Sequence, residues 1–93
     1  MIVLRTAGEV DAFLATPLGR ETELIIAPHL ERLAEYKFEE VAAIAVTEAD
    51  ETPASLGVDP ETYEYREEHP GGWTESVYVI GQDGWGWIVL TRT

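Results

Sequence analysis

The 93-residue chain has no cysteine and a net charge of −12 at pH 7, from 18 acidic and 6 basic residues. This length suits one small domain spanning residues 1–93, and the lack of cysteine excludes disulfides, thiolate metal sites and a cysteine nucleophile. The charge disfavours direct binding to nucleic acid or to an anionic membrane, and no stretch approaches the ~20 apolar residues of a membrane span. We therefore expect a soluble, cytoplasmic protein whose favoured partner is basic.

The first residues predict an edge strand followed by a helix. Ile2 to Leu4 is a short apolar run. The Thr6-x-x-Glu9 spacing that follows is typical of a capping box, so a helix should begin near Ala7.

A second helical region is predicted over residues 18–36. Thr16-Pro17 has the pattern of an N-cap followed by a first-turn proline. Pro28 lies inside the region, and we expect it to kink or divide the helix because proline removes a backbone donor.

The pattern then changes to that of a buried strand. Both alternating sets of side chains in residues 41–46 are apolar, which predicts a strand buried on both faces, although the alanines also permit a helix. Residues 48–60 are polar and contain prolines and a glycine, so they are interpreted as a loop.

Asp83-Gly84 predicts a tight hairpin turn between two apolar runs. Such a turn would pair Ile80 with Trp87, giving a sheet with one aliphatic and one aromatic face. The aliphatic face would contain Val77, Val79, Ile88 and Leu90, and the aromatic face Tyr78, Ile80, Trp85, Trp87 and Val89.

A second turn is predicted within residues 69–73, which would complete a three-stranded meander. A two-residue Gly71-Gly72 turn would place Tyr65 on the aromatic face, whereas a three-residue loop would place it on the face of Val77. A helix over residues 60–68 is the competing interpretation, and the sequence alone does not choose among these.

The predicted architecture is therefore α+β, with two N-terminal helices packed on a mainly antiparallel sheet of about four strands that ends in a β-meander. Two helices can cover about one face of such a sheet. Either they lie on the aromatic face, or some of Tyr78, Trp85 and Trp87 meet a protein partner or a second copy of the chain.

Chemistry-bearing motifs are sparse. His69 follows Glu67 and Glu68, and a carboxylate beside an imidazole could move a proton or bind a metal. Neighbouring strand residues point to opposite faces, however, and metal sites need several convergent ligands. We therefore predict no metal site and no cofactor, and His29 provides a still weaker signal.

Several segments together resemble a family of small acidic bacterial proteins whose function is unassigned. They are Phe13-Leu-Ala-Thr-Pro-Leu-Gly-Arg20, His29-Leu-Glu-Arg-Leu33, Tyr63-Glu-Tyr65, His69-x-Gly-Gly-Trp73 and Asp83-Gly84. The resemblance implies helices followed by a meander and implies no activity.

The functional hypothesis is a non-catalytic protein-binding module of the inhibitor, immunity or mimic type. Its predicted binding residues are Glu64, Glu67, Glu68, Tyr78, Trp85 and Trp87. One alternative is a homodimeric structural subunit that associates through the aromatic face. Another is an enzyme that uses His69 with Glu67 or Glu68.

Overall fold

The computed structural model describes residues 1–33, 42–47, 59–80 and 85–92, which form two helices and a five-stranded mixed sheet. The predicted α+β class with N-terminal helices and a mostly antiparallel sheet is confirmed, with five strands rather than about four. The elements are β1 (Ile2–Leu4), α1 (Ala7–Leu14), α2 (Pro17–Leu33), β2 (Ala42–Thr47), β3 (Tyr65–His69), β4 (Trp73–Ile80) and β5 (Trp85–Arg92).

The start of α1 is set by the capping box. The Glu9 N–H donates to Thr6 Oγ1 at 3.1 Å, and Glu9 Oε1 accepts from the Thr6 N–H at 3.1 Å. Two N–H groups at the helix start are thereby paired, which stabilises the start at the predicted position. Val10 and Phe13 then lie buried on the inner face of α1.

A tight corner joins α1 to α2. Thr16 Oγ1 donates to the Phe13 carbonyl at 2.6 Å and accepts from the Gly19 N–H at 3.0 Å. Pro28 lies inside a continuous α2. Of the two expected outcomes, division of the helix is therefore wrong, and a kink at Pro28 stays a prediction. Among the described residues, no helix is both long and apolar enough to cross a membrane.

The strand order is β1-β2-β5-β4-β3, which makes β1 and β3 the edges. β2 and β5 run parallel, and the other neighbours are antiparallel. Every residue of β2 is buried, as predicted for a strand covered on both faces. Its helical alternative is therefore wrong.

The β4–β5 register differs from the predicted one. Ile80 lies opposite Trp85 rather than Trp87, and Tyr78 lies opposite Trp87. The predicted pairing is wrong by two residues, but a two-residue shift leaves the described side chains, such as those of Tyr78 and Trp87, on their predicted face because strand side chains alternate with period 2. The connecting residues 81–84, including the predicted Asp83-Gly84 turn, lie outside the described residues.

The β3–β4 connection follows the three-residue alternative. His69 lies opposite Trp73, and Tyr65 lies opposite Val77. Gly71 and Gly72 have φ angles of 88° and 83°, a region that glycine enters without strain. The helix considered for residues 60–68 is limited to a 3₁₀ turn at Pro60–Thr62, capped by the Asp59 carboxylate.

Both helices lie on the aliphatic face of the sheet. Their buried side chains form one cluster with Ile44, Ile88 and Leu90. The aromatic face carries a separate buried cluster that includes Tyr78 and Trp87. The alternative in which the helices cover the aromatic face is therefore wrong. Residues 34–41 and 48–58 lie outside the described residues.

Candidate functional site

An open cavity of about 550 Å³ lies where α2 meets strands β3 and β4. Helix α2 contributes His29 to its wall, β3 contributes Glu67 and His69, and β4 contributes Glu75. Two imidazoles and two carboxylates from three separate elements therefore line one cavity, together with a third carboxylate from Glu64, which lies just before β3.

Glu75 is at the centre of this group. The residue is only 5% exposed, and burial of a carboxylate costs several kcal/mol unless hydrogen bonds replace its hydration. Both of its oxygens are paired: Oε2 accepts from His29 Nε2–H, and Oε1 accepts from His69 Nε2–H at 2.9 Å. An ionised carboxylate only accepts hydrogen bonds, so this pairing requires the tautomer of each ring that has its proton on Nε2.

Local periodicity explains why His29 and Glu75 point toward each other. His29 lies three and four residues after the buried Ile26 and Ile25, so it shares the inner face of α2. Glu75 lies between Trp73 and Val77 in the alternation of β4 and therefore points toward α2.

Glu67 completes the cluster from the edge strand. Its Cα lies opposite that of Glu75 in the β3–β4 ladder. Its Oε2 lies 3.8 Å from His69 Nε2 and accepts a hydrogen bond from the Tyr65 hydroxyl. Like charges directly opposite each other destabilise a sheet, so packing alone gives no reason for this carboxylate pair. Such local conflicts are expected at functional positions.

The predicted acidic binding residues take two different positions. Glu64, Glu67 and Glu68 are all exposed, and Glu64 and Glu67 line the cavity. Glu68 points to the opposite face because it lies between Glu67 and His69 in the strand. Of the two carboxylates considered for pairing with His69, only that of Glu67 faces it. The role of these acids in binding a partner stays a prediction.

Of the predicted aromatic binding residues, Tyr78 and Trp87 do not line the cavity. Tyr78 and Trp87 are 1% and 5% exposed, and the Trp85 side chain lies outside the described part of the chain. Arg66 Nη2 donates to the Tyr78 hydroxyl at 3.2 Å, and the Arg5 guanidinium carbon lies 5.3 Å from the Trp87 ring centroid. A partner or a second copy of the chain could make extensive contact with Tyr78 or Trp87 only if the residues that bury these two side chains moved away.

Two members of the site were missed in the sequence analysis. The sequence patterns gave only a weak signal for His29 and contained no motif that pairs Glu75 with His69. A signal for each was present: a histidine at helical spacing from two isoleucines, and a carboxylate at strand spacing from Trp73 and Val77. Both are polar groups on otherwise apolar faces, which are rare enough to be informative.

Comparison of the chain with protein-family models, curated proteins and solved structures found no match. The resemblance to a family of small acidic bacterial proteins therefore stays a prediction.

Proposed function

We propose that this protein is a non-catalytic binding module for a basic protein, and that the cavity between α2 and the β3–β4 hairpin accepts a cationic side chain of that partner. The observation that carries the proposal is the position of the acids. Glu64 and Glu67 are exposed at the cavity, and the buried Glu75 lies in its wall.

The cavity suits the two parts of an arginine or lysine side chain. Leu24 is 90% exposed and Tyr65 is 46% exposed, and both line the cavity. These apolar surfaces could pack against the methylene stem of the partner's side chain, while a carboxylate binds its charged end. Exposed apolar groups beside complementary charge are typical of protein-binding surfaces.

Within the cavity, the acids would have different roles. Both oxygens of Glu75 already accept hydrogen bonds from imidazoles. A partner's cation is therefore expected to bind Glu64 and Glu67 directly. The buried Glu75 adds to the negative potential of the cavity from its wall. The net charge of −12 would increase the rate of association with a basic partner and oppose association with nucleic acid.

The test measures the binding of an arginine-rich peptide by fluorescence anisotropy, with a chelator present and at two salt concentrations. We expect saturable binding that weakens as salt screens the charges. In the double variant Glu64→Gln/Glu67→Gln, affinity should fall at least about tenfold, because two charge-assisted contacts are lost.

The matched control is Asp11→Asn/Glu31→Gln, which removes the same charge from exposed helix positions that do not line the cavity. Its affinity should change by no more than about threefold, since these exposed charges make no contact with a side chain in the cavity and solvent and salt screen them. Equal losses in the two variants would show diffuse attraction and refute a role for the cavity. Absence of saturable binding to the wild-type chain would also refute the proposal.

A further inference from the structure

Three atoms of metal-ligand type converge in the cavity wall. They are Glu67 Oε2, His69 Nε2 and Glu75 Oε1, and their residues each place one ligand atom within 4.8 Å of the others. His69 Nε2 lies 2.9 Å from Glu75 Oε1 and 3.8 Å from Glu67 Oε2. We propose that Glu67, His69 and Glu75 bind one divalent transition-metal ion of the zinc class.

The separations match what a tetrahedral ion requires. Zinc bonds to nitrogen and oxygen of ~2.0–2.1 Å place neighbouring ligand atoms about 3.3 Å apart. The two separations from His69 Nε2, 2.9 and 3.8 Å, lie on either side of this value. The two carboxylates place ligand atoms within 4.8 Å of each other, so side-chain adjustments of roughly an ångström or less at each atom would complete the geometry.

The donor types select the class of metal. One imidazole nitrogen with two carboxylate oxygens suits zinc and its first-row neighbours, whereas calcium and magnesium prefer sites made of oxygen alone. His69 would bind through the Nε2 lone pair, so its proton would move to Nδ1, and the hydrogen bond from Nε2 to Glu75 would be replaced by two bonds to the ion.

The surrounding contacts orient the carboxylate ligands. His29 donates to the other oxygen of Glu75, and the Tyr65 hydroxyl donates to Glu67. Outer hydrogen bonds of this kind hold ligands in place and raise the affinity of metal sites. A divalent cation would also neutralise the opposed pair Glu67 and Glu75, which the sheet otherwise brings together at an electrostatic cost.

Three protein ligands leave at least one coordination position for water or another ligand. All three residues line the open cavity, so an incoming molecule could reach the ion. Within the part of the chain that the structure describes, this arrangement has the three ligands of open zinc sites rather than the four of structural sites.

The test is a calorimetric titration of the untagged chain with zinc chloride, after treatment with a chelator and desalting. The sequence has two histidines and no cysteine, so imidazole-dependent binding must involve His69 or His29. We expect one ion per chain, with a dissociation constant in the micromolar range or below, and no saturable binding of calcium at the same concentrations.

Variants at the ligands separate this site from general acidity. His69→Ala and Glu67→Gln should each weaken zinc binding at least about tenfold, since the loss of an outer-shell contact alone costs that much in known sites. Glu68→Gln is the matched control, and its affinity should stay within about twofold because that exposed charge points to the other face of β3.

Thermal unfolding of each variant without metal shows whether it folds, and both tested ligands lie at exposed or half-buried positions. The proposal is overturned if the folded wild-type chain does not bind one zinc ion, or if His69→Ala binds it as tightly as the wild type. It is also overturned if Glu68→Gln weakens binding as much as Glu67→Gln. The metal ion and a partner's cationic side chain would compete for Glu67, so peptide binding is measured with a chelator present, and failure of either proposal leaves the other intact.

Discussion

The hydrogen bond between His29 and Glu75 joins two buried side chains and should make their contributions to stability strongly non-additive. His29→Leu leaves one oxygen of a buried carboxylate without its imidazole donor. Glu75→Met leaves the imidazole of His29, which is 4% exposed, without its carboxylate. The double variant His29→Leu/Glu75→Met replaces the pair by apolar side chains of similar size, so neither cost remains.

The expected magnitude follows from the burial of both partners. Each single substitution should lower the free energy of unfolding by ~1.5–3 kcal/mol, the range for buried hydrogen bonds to charged groups. For a domain of this size this loss corresponds to a fall in Tm of roughly 6–24 °C. The double variant should be more stable than the sum of the single effects predicts, by about 1.5–3 kcal/mol.

The assay is urea denaturation of the wild type, the two single variants and the double variant, with a chelator present so that no bound metal contributes to stability. Exposed Glu31→Gln is the control and should stay within about 0.5 kcal/mol of the wild type. If the two single effects add to the double effect within about 0.5 kcal/mol, the pair is not energetically coupled and the reasoning is refuted.

Other predictions concern the backbone of the fold. Gly19→Ala should lower the free energy of unfolding by about 3 kcal/mol, because the added Cβ would lie 1.9 Å from the Phe13 carbonyl oxygen. Gly8→Ala should instead raise the free energy of unfolding by ~0.5–1 kcal/mol, because the nearest atom to its Cβ is Thr6 Oγ1 at 4.0 Å. Thr6→Ala should cost about 1 kcal/mol by removing the cap of α1. Gly71→Ala should cost ~1–2 kcal/mol at its φ of 88°. Chemical denaturation measures all four, and a change of opposite sign in any of them contradicts its stated cause.

Local features were predictable where a few neighbouring residues decide the structure. The capping box at Thr6 and Glu9 sets the start of α1, since its atoms lie within one helical turn. The alternation predicted the sheet faces of Val77, Tyr78 and residues 87–90, even though the predicted register was wrong. The face to which a strand side chain points depends only on its odd or even position, whereas the register of two strands depends on the length and geometry of the connection between them.

Features that depend on distant residues were harder to predict. Pro28 does not divide α2, because packing of the inner helix face against the sheet can outweigh the loss of one backbone hydrogen bond. The β3–β4 connection left three alternatives, and the structure shows a pairing of His69 with Trp73. That pairing decides which carboxylates face His69.

By itself the sequence determined the α+β class, the two N-terminal helices, a doubly buried central strand and the two faces of the β4–β5 pair, because periodicity and capping act over a few residues. Only the tertiary structure decided the candidate site. His29 and Glu75 lie 46 positions apart, and neither has a motif that refers to the other. They meet because α2 packs on the aliphatic face, where hydrophobic burial brings two isolated polar groups together and hydrogen bonding then makes their burial favourable.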